Sequence, residues 1–560
     1  MITNENLIGK VQSVDTGNAI VKVNDESLLN SVQINQIVHI RSTKTGEKII
    51  GLISKIMRRS ISENIDTDDE TVVTIENIIK INLVGTLLEK EGEKSNIFKR
   101  TLNTVPSINA DCFLLQGEGL SEFMGMISTN SDNPLTIGKY TISDNSTANL
   151  DGNKFFQRHA VIVGGTGSGK SWTVANVLDK ATQLKSVNCV VFDLHGEYKP
   201  LEKLHNTSLL KIAGPADTPK TENIIFIPYW LLSYEEIESL LLDRSDTNAP
   251  NQSRSLFELI LSEKKQTVER ANKKDLLENL TVESPIPYRI DNVLEKLEIL
   301  DTEMVQGSRS EKQGPLYGKL TRFIQRLKSK QADKRLNFIF NKDENLLDYD
   351  WINDFAKKLM DFGKNNGLKI IDFSEVPSDI LPLITGLIGR FIFTVQQWMQ
   401  DECRHPIALF CDEAHLYLPA NTNSSIEEKG LHNFERIAKE GRKYGVSLVV
   451  ISQRPSDVSK TILSQCGNFI SMRLTNPDDQ NVIRKLFPDN LGDFSEMLPI
   501  LDVGEALIVG DASLLPTRVL IDKPKIKPNS ATVNFWDEWA KGKNENGIEN
   551  AVEALRRQHK

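Results

Sequence analysis

Between residues 7 and 130 short apolar runs alternate with turn-forming clusters: LIGKVQSV, TGN, AIVKV; then QIVHI, TKTGEK, IIGLI; then TVVTIENIIKINLVGTLL. Strands of that length and spacing predict a small β-barrel, and nothing in them carries catalytic chemistry. Residues 130–153 are rich in Ser, Thr, Asn and Asp and read as a connector. From Ala160 the pattern changes to apolar strands followed by helical periodicity, HAVIVGG before WTVANVLDKA and then NCVVFDLHGEY. That alternation predicts a parallel sheet with crossover helices.

The alternation breaks at Ser233-Tyr-Glu-Glu236, a capping-box pattern that opens a charged, helix-favouring stretch running to about residue 365. It resumes with GLKIIDF, a helical LPLITGLIGRFIFTVQQWM, the strands PIALFCDE and GVSLVVISQ, and the shorter GNFISMRL and EALIVG. Beyond Val519, DKPKIKPNSA is too broken by proline for a helix and predicts an extended arm. A short helical end near FWDEWAKG and a polar terminus follow. The expected organisation is a barrel over 1–130, an α/β core in two parts (131–232 and 366–519), a helical insertion over 233–365, and an arm and tail over 520–560.

At 560 residues the chain has room for about two to four domains. Its 67 basic and 76 acidic residues leave a formal charge of -9. No global cationic field draws in nucleic acid, so any such contact needs a local basic surface. No apolar run is long enough to span a bilayer, and MITNENLIGK lacks a signal peptide's order of charge then apolar residues. A cytoplasmic chain without a membrane partner is the expectation. The five cysteines form no C-x-x-C pair and the eight histidines no H-E-x-x-H, which argues against a disulfide framework and a zinc cage.

The strongest chemical signal is Gly164-Gly165-Thr166-Gly167-Ser168-Gly169-Lys170-Ser171, a full G-x-x-x-x-G-K-[ST] match between a strand and a helix. Glycines let backbone N–H groups close around phosphate oxygens at a helix N-terminus. Lys170 is expected to reach the β/γ-phosphates and Ser171 to place its hydroxyl on Mg²⁺, with ATP as the nucleotide. The strand Ile407-Ala-Leu-Phe-Cys ends in Asp412 and Glu413. Asp412 is expected to support Mg²⁺ and Glu413 to polarise the attacking water; the alternative is a pair of exposed acids at a strand end.

Gln453, at the tip of the strand 446–452, is a candidate sensor of the γ-phosphate, or else a turn residue before Pro455. Asp193 either supports the metal's water shell or Lys170, or caps the turn that follows it. Ring ATPases supply a guanidinium across an interface. Arg442 is the candidate for that role and Arg158 a second phosphate-reaching cation, each against the alternative of a surface cation. Lys319, Arg322, Arg326 and Lys330 recur at helical spacing and give a basic face, for which solvation is the simpler account.

GGTGSGKS, DLHGEY, CDEAH and above all RIAKEGRKYGVSLVVISQRPSD together resemble the HerA-type ATPases of the FtsK/HerA group. The resemblance implies a RecA-like P-loop core, α/β with a parallel-dominated sheet, carrying an N-terminal small β-barrel, a helical insertion and an extended C-terminal arm. It implies a homohexameric ring that threads double-stranded DNA. It gives phosphate binding to Gly167 through Trp172, metal support to Ser171 and Asp412, catalysis to Glu413, sensing to Gln453 and arginine roles to Arg158 and Arg442. Such proteins work beside a nuclease in DNA end processing or, in bacteria, beside an effector such as a nuclease or a Sir2-like NAD-hydrolysing subunit in antiphage defence. The resemblance thus points to a bacterial ATP hydrolase and DNA translocase working with an effector. The alternative is a nucleotide-gated scaffold that activates an effector with little translocation.

Overall fold

A computed structural model describes residues 6–23, 25–64, 71–92, 94–127, 133–142, 146–219, 221–306, 310–363, 366–488, 493–530, 533–541 and 547–557. The expected boundary between 130 and 131, residue 365 and the last three residues of the polar terminus lie outside them. The strands begin with β1 (Asn6–Val14), β2 (Asn18–Val23), β3 (Ile37–Arg41), β4 (Glu47–Asn64), β5 (Thr71–Glu91), β6 (Lys94–Lys99) and β7 (Asp111–Leu114). They continue with β8 (Leu135–Tyr140), β9 (Thr147–Leu150), β10 (Ala160–Val163), β11 (Cys189–Asp193), β12 (Thr207–Ile212), β13 (Ile224–Ile225), β14 (Met304–Gln306) and β15 (Glu311–Gln313). The last six are β16 (Leu368–Asp372), β17 (Ile407–Cys411), β18 (Val446–Ser452), β19 (Asn468–Ser471), β20 (Glu505–Gly510) and β21 (Thr517–Ile521).

The chain divides into two compact units. One comprises Met1–Ala181, Val450–Ser456 and Leu463–Lys525, the other Thr182–Val449, Asp457–Ile462 and Ile526–Lys560. In the first unit β2, β1, β7, β3, β4 and β5 lie side by side, and a β2–β5 pairing closes them into a six-stranded barrel with β6 added outside. Closure removes the exposed edges that an open sheet would leave. The interior follows the period of two: Ala19, Val21 and Val23 are buried on β2 while Lys22 faces out. Val11, Val38, Ile40, Ile49, Ile79 and Ile81 belong to the same core.

The rest of the first unit's strands run in the order β10, β19, β20, β21, β8, β9. β10 and β19 are parallel, and the pairings from β19 to β9 are antiparallel. Here the structure differs from the connector expected over 130–153. β8 and β9 form a hairpin that extends the sheet, because Leu135, Ile137, Tyr140, Ala148 and Leu150 are buried and Tyr140 pairs with Val519, a strand partner distant in sequence. Arg100, beyond β6, donates to the carbonyls of Gly510, Ser513 and Leu514 and fastens the barrel to the β20–β21 turn.

In the second unit β13, β12, β16, β11 and β17 lie in that order, every pair parallel. All five residues of β11, β16 and β17 are buried, which explains their mostly apolar character; the exception inside β16, Lys369, donates to Asn188 Oδ1, Asp361 O and Asn366 O. Helix Leu381–Trp398 crosses helix Ser425–Glu440 at glycines: a Cβ on Gly430 would collide with the Pro382 carbonyl oxygen, and one on Gly386 would come within 2.7 Å of Gly430 Cα. The charged stretch forms helices Tyr234–Leu241, Ala249–Arg270, Ile290–Thr302, Thr321–Ala332 and Trp351–Met360, with the hairpin β14–β15 among them. Ser233 and Glu236 make the capping box that their spacing predicts. The buried Glu236 also accepts from Arg390 at 2.8 and 2.9 Å and from Asn433 at 2.9 Å, tying this first helix to both crossing helices.

Past β21 the arm is extended, and Asn529 N donates to Glu197 O at 2.7 Å. Helix Phe535–Lys541 follows, as expected; a second helix, Ile548–Arg557, occupies what reads as a polar terminus. Its Ile548, Val552 and Leu555 recur at helical spacing in an otherwise polar run. Among the described residues no helix is long and apolar enough to cross a membrane.

Candidate functional site

In the first unit the buried strand β10 delivers the chain into the glycine-rich loop, and helix Lys170–Ala181 leaves it. The loop needs its glycines. Gly167 and Gly169 adopt φ of 73° and 105°, where side chains are strained. A Cβ on Gly164 would run into Ser168 Oγ and approach Met472 Cβ to 2.8 Å; one on Gly169 would meet Met472 Cε at 2.9 Å. Neighbouring backbone fixes the loop's rim. Gly165 N donates to Arg473 O at 2.9 Å, Gly504 N to Ser168 O at 2.9 Å, and Thr173 N to Gly169 O at 2.9 Å.

Thr166 and Gly167 are exposed at the crown and Gly165 is half-buried, as is Trp172. Lys170 and Ser171 are buried at the first turn of the helix. Thr166 Oγ1 donates to Gln453 Oε1 at 2.8 Å, so the expected sensor is bonded to the loop. Arg158 instead faces Asp511, its Nε 3.5 Å from that carboxylate, which Arg100 also approaches to 3.5 Å. A loop that excludes side chains at the first turn of a twelve-residue helix fits a phosphate chain.

The second unit gathers acids at the C-terminal ends of parallel strands. Register sets Asp193 of β11 opposite Asp372 of β16, and Phe192 opposite Cys411 of β17, immediately before Asp412. Asp193 has no exposure; its Oδ1 accepts from Glu197 N at 3.0 Å and its Oδ2 from Tyr198 N at 2.9 Å. It therefore caps its own turn. Burial pushes its carboxyl up to about 6, and those N–H bonds oppose the rise. Burial also pushes Asp372 up, but Lys199 Nζ at 2.8 Å and Ser374 N at 2.9 Å hold it below the usual carboxylate value.

Asp412 and Glu413 are buried rather than exposed. Glu413 sits in the left-handed region, at φ 43° and ψ 45°, a strained conformation for a side chain of its size. His415 Nδ1 lies 3.4 Å from its Oε2. The carboxylate of Asp412 in the second unit and the hydroxyl of Ser171 in the first are each hard oxygen donors, the chemistry that suits Mg²⁺. Tyr198 and Tyr417 are fully buried; burial first raises both phenols well above their ordinary value, followed by the acids' charge for Tyr198 and by Cys411 and then the acids for Tyr417.

Arg442 is exposed on the turn Gly441–Tyr444 that follows helix Ser425–Glu440. Of the basic face, Lys319 precedes helix Thr321–Ala332 and donates to Pro315 O at 2.8 Å, while Arg326 bonds Leu241 O at 3.1 Å and Asp243 at 3.2 Å. Those two cations are engaged within the insertion. Reasoning from sequence did not single out Asp372, Lys199 or Tyr198. The last stands within the DLHGEY element, but nothing in its spacing announces a buried hydroxyl.

Comparison with known proteins agrees with this architecture. The family described as "Helicase HerA, central domain" matches residues 135–392, and "Helicase HerA-like C-terminal" matches 393–533. The chain is 30% identical over 400 residues to the DNA double-strand break repair helicase HerA of Sulfurisphaera tokodaii, covering 69% of each. It is 25% identical to a probable helicase of Methanocaldococcus jannaschii over 93% of this chain and 97% of that one. Among solved structures, VirB4 of Thermoanaerobacter pseudethanolicus aligns with a TM-score of 0.47 at 14% identity, over 71% of this chain and 99% of that chain. Two family matches that meet at residue 392, a relative of this identity and coverage, and the phosphate-loop architecture have one meaning: the chain belongs to the HerA helicase family of P-loop ATPases.

Proposed function

We propose that this chain is a ring-forming ATPase that couples Mg-ATP hydrolysis to movement along double-stranded DNA in support of a partner nuclease or effector, in DNA end processing or antiphage defence. The observation that carries the reading is the bond from Thr166 to Gln453, which ties the glycine-rich loop to the residue to which this reading gives the sensor role. Relatives named as DNA double-strand break repair helicases support DNA as the track.

Lys170 and the amides at the first turn of helix Lys170–Ala181 bind the β- and γ-phosphates. Mg²⁺, when bound, neutralises charge on those phosphates; Ser171 and Asp412 are the residues that would hold it. Glu413 orients the attacking water, whose oxygen bonds to the γ-phosphorus as the bond to the bridging oxygen breaks, leaving ADP, phosphate and the water's proton, which passes to solvent. Gln453 reports the change through Thr166, and Arg442 reaches a neighbouring subunit's nucleotide.

Hydrolysis by the purified chain should rise on addition of double-stranded DNA and vanish in Lys170→Ala and Glu413→Ala, with a solution mass of six copies. ATPase indifferent to DNA, combined with activation of an effector on mixing, would replace this reading with a nucleotide-gated scaffold. Rings mixed from Arg442→Ala and Lys170→Ala subunits should regain activity, because some interfaces then pair two intact halves; no recovery in verified mixed rings removes Arg442 from that role.

A further inference from the structure

Tyr198 is fully buried, and its hydroxyl has no hydrogen-bond partner. Such a group is costly to leave unmade. Its backbone is pinned by the bond from Tyr198 N to Asp193 Oδ2, at the end of β11. The strand beside it, β17, leads directly into Asp412. The carboxylates whose charge acts on the phenol are, in falling order, Asp412, Glu197, Asp193 and Glu413. A neutral donor thus lies within the field of four acids and is hydrogen-bonded to none of them.

We propose that Tyr198 is a positioning residue of the hydrolytic site, its phenol donating to the Asp412 carboxylate in the nucleotide-loaded protein and fixing the orientation in which that carboxylate supports Mg²⁺. The inference rests on the role given to Asp412 above. The donor is held in reserve until the site fills, and the bond then selects one of Asp412's rotamers. Outer partners of this kind govern metal affinity without touching the metal.

Tyr198→Phe in the full chain removes only the oxygen. Its thermal midpoint should equal or exceed that of the unaltered protein, because the lost hydroxyl had no partner. The affinity of a fluorescent ADP analogue without Mg²⁺ should not change, whereas the tightening that Mg²⁺ produces should fall about tenfold, with kcat falling similarly and KM staying within about twofold. Unaltered Mg²⁺-dependent tightening in Tyr198→Phe overturns the proposal, and so does a clear loss of thermal stability, since that would show the hydroxyl to be structural. Asp412→Asn separates the two layers. If it too keeps the tightening, the role of Asp412 falls and Tyr198 with it; if it loses the tightening while Tyr198→Phe keeps it, only Tyr198 falls.

Discussion

Thr166 Oγ1, on the exposed crown of the phosphate loop, donates to Gln453 Oε1 at 2.8 Å. One polar bond thus joins the loop to the residue that follows β18. Because it is exposed, its loss should lower stability by less than about 1 kcal/mol, yet in the function proposed above it is the contact that a γ-phosphate would disturb. Gln453→Ala and Thr166→Val should each lower kcat about tenfold, and the double variant no further, since members of one bond are non-additive. Steady-state ATPase assays on the four proteins check this; fully additive losses would show that the two side chains act separately.

Gly169→Ala places a side chain at φ 105° against Met472 Cε, and Gly164→Ala drives one toward Ser168 and Met472. Each should cost about 1–3 kcal/mol of stability and deform the loop. Chemical denaturation and titration with an ATP analogue should show both losses, the affinity falling even in protein that remains folded.

The crossing of helices Leu381–Trp398 and Ser425–Glu440 has no room for a methyl group at Gly430, whose Cβ would meet the Pro382 carbonyl oxygen. Backbone cannot step aside as a flexible side chain can. Gly430→Ala should therefore destabilise by about 3 kcal/mol despite its better helix propensity. An unchanged urea midpoint would mean that the helices separate freely.

Glu236 is 3% exposed while its partner Arg390 retains 25%. Glu236→Ala takes the carboxylate from Arg390, which keeps only the Leu231 carbonyl, and from the Ser233 and Asn433 amides, and should cost about 2–4 kcal/mol, toward the lower end because Arg390 keeps that bond and some solvent. Glu236→Gln, which can still accept, should lose less. The order of the two denaturation midpoints is the check.

Asp193 supplies a pH signature. Its carboxyl, ordinarily at 3.8, is pushed up to about 6 by burial. Between about pH 4 and 6 the folded chain keeps a proton that the unfolded chain has released, so stability falls as pH rises through that window. Asp193→Asn cannot titrate. The unfolding free energy of the variant minus that of the unaltered protein should therefore rise by on the order of 2–3 kcal/mol from pH 4 to pH 7. A difference independent of pH would show that Asp193 is not held protonated in this way.

The strand, glycine loop and helix around Lys170 were legible because their periodicities are local and strong, and β10 and helix Lys170–Ala181 flank the loop as that pattern predicts. The hairpin β8–β9 was not legible. Its strands are short and set among Ser, Thr and Asn, and what joins the hairpin to the sheet is the pairing of β8 with β21, hundreds of residues away. Helix Ile548–Arg557 was hidden for a related reason: three apolar residues on one face leave its composition polar.

The sequence by itself determined the fold class and the chemistry on offer, because glycine, lysine, serine and paired acids at fixed spacing constrain the backbone wherever they occur. Only the tertiary structure decided how those groups are employed. Asp193 caps its own turn, Arg158 answers Asp511, Gln453 is tied to Thr166, and Tyr198 brings a hydroxyl with no hydrogen-bond partner beside Asp412. Arg158 and Gln453 find partners that are hundreds of residues away, and the burial that raises the Asp193 carboxyl and the Tyr198 phenol is a property of the packed chain.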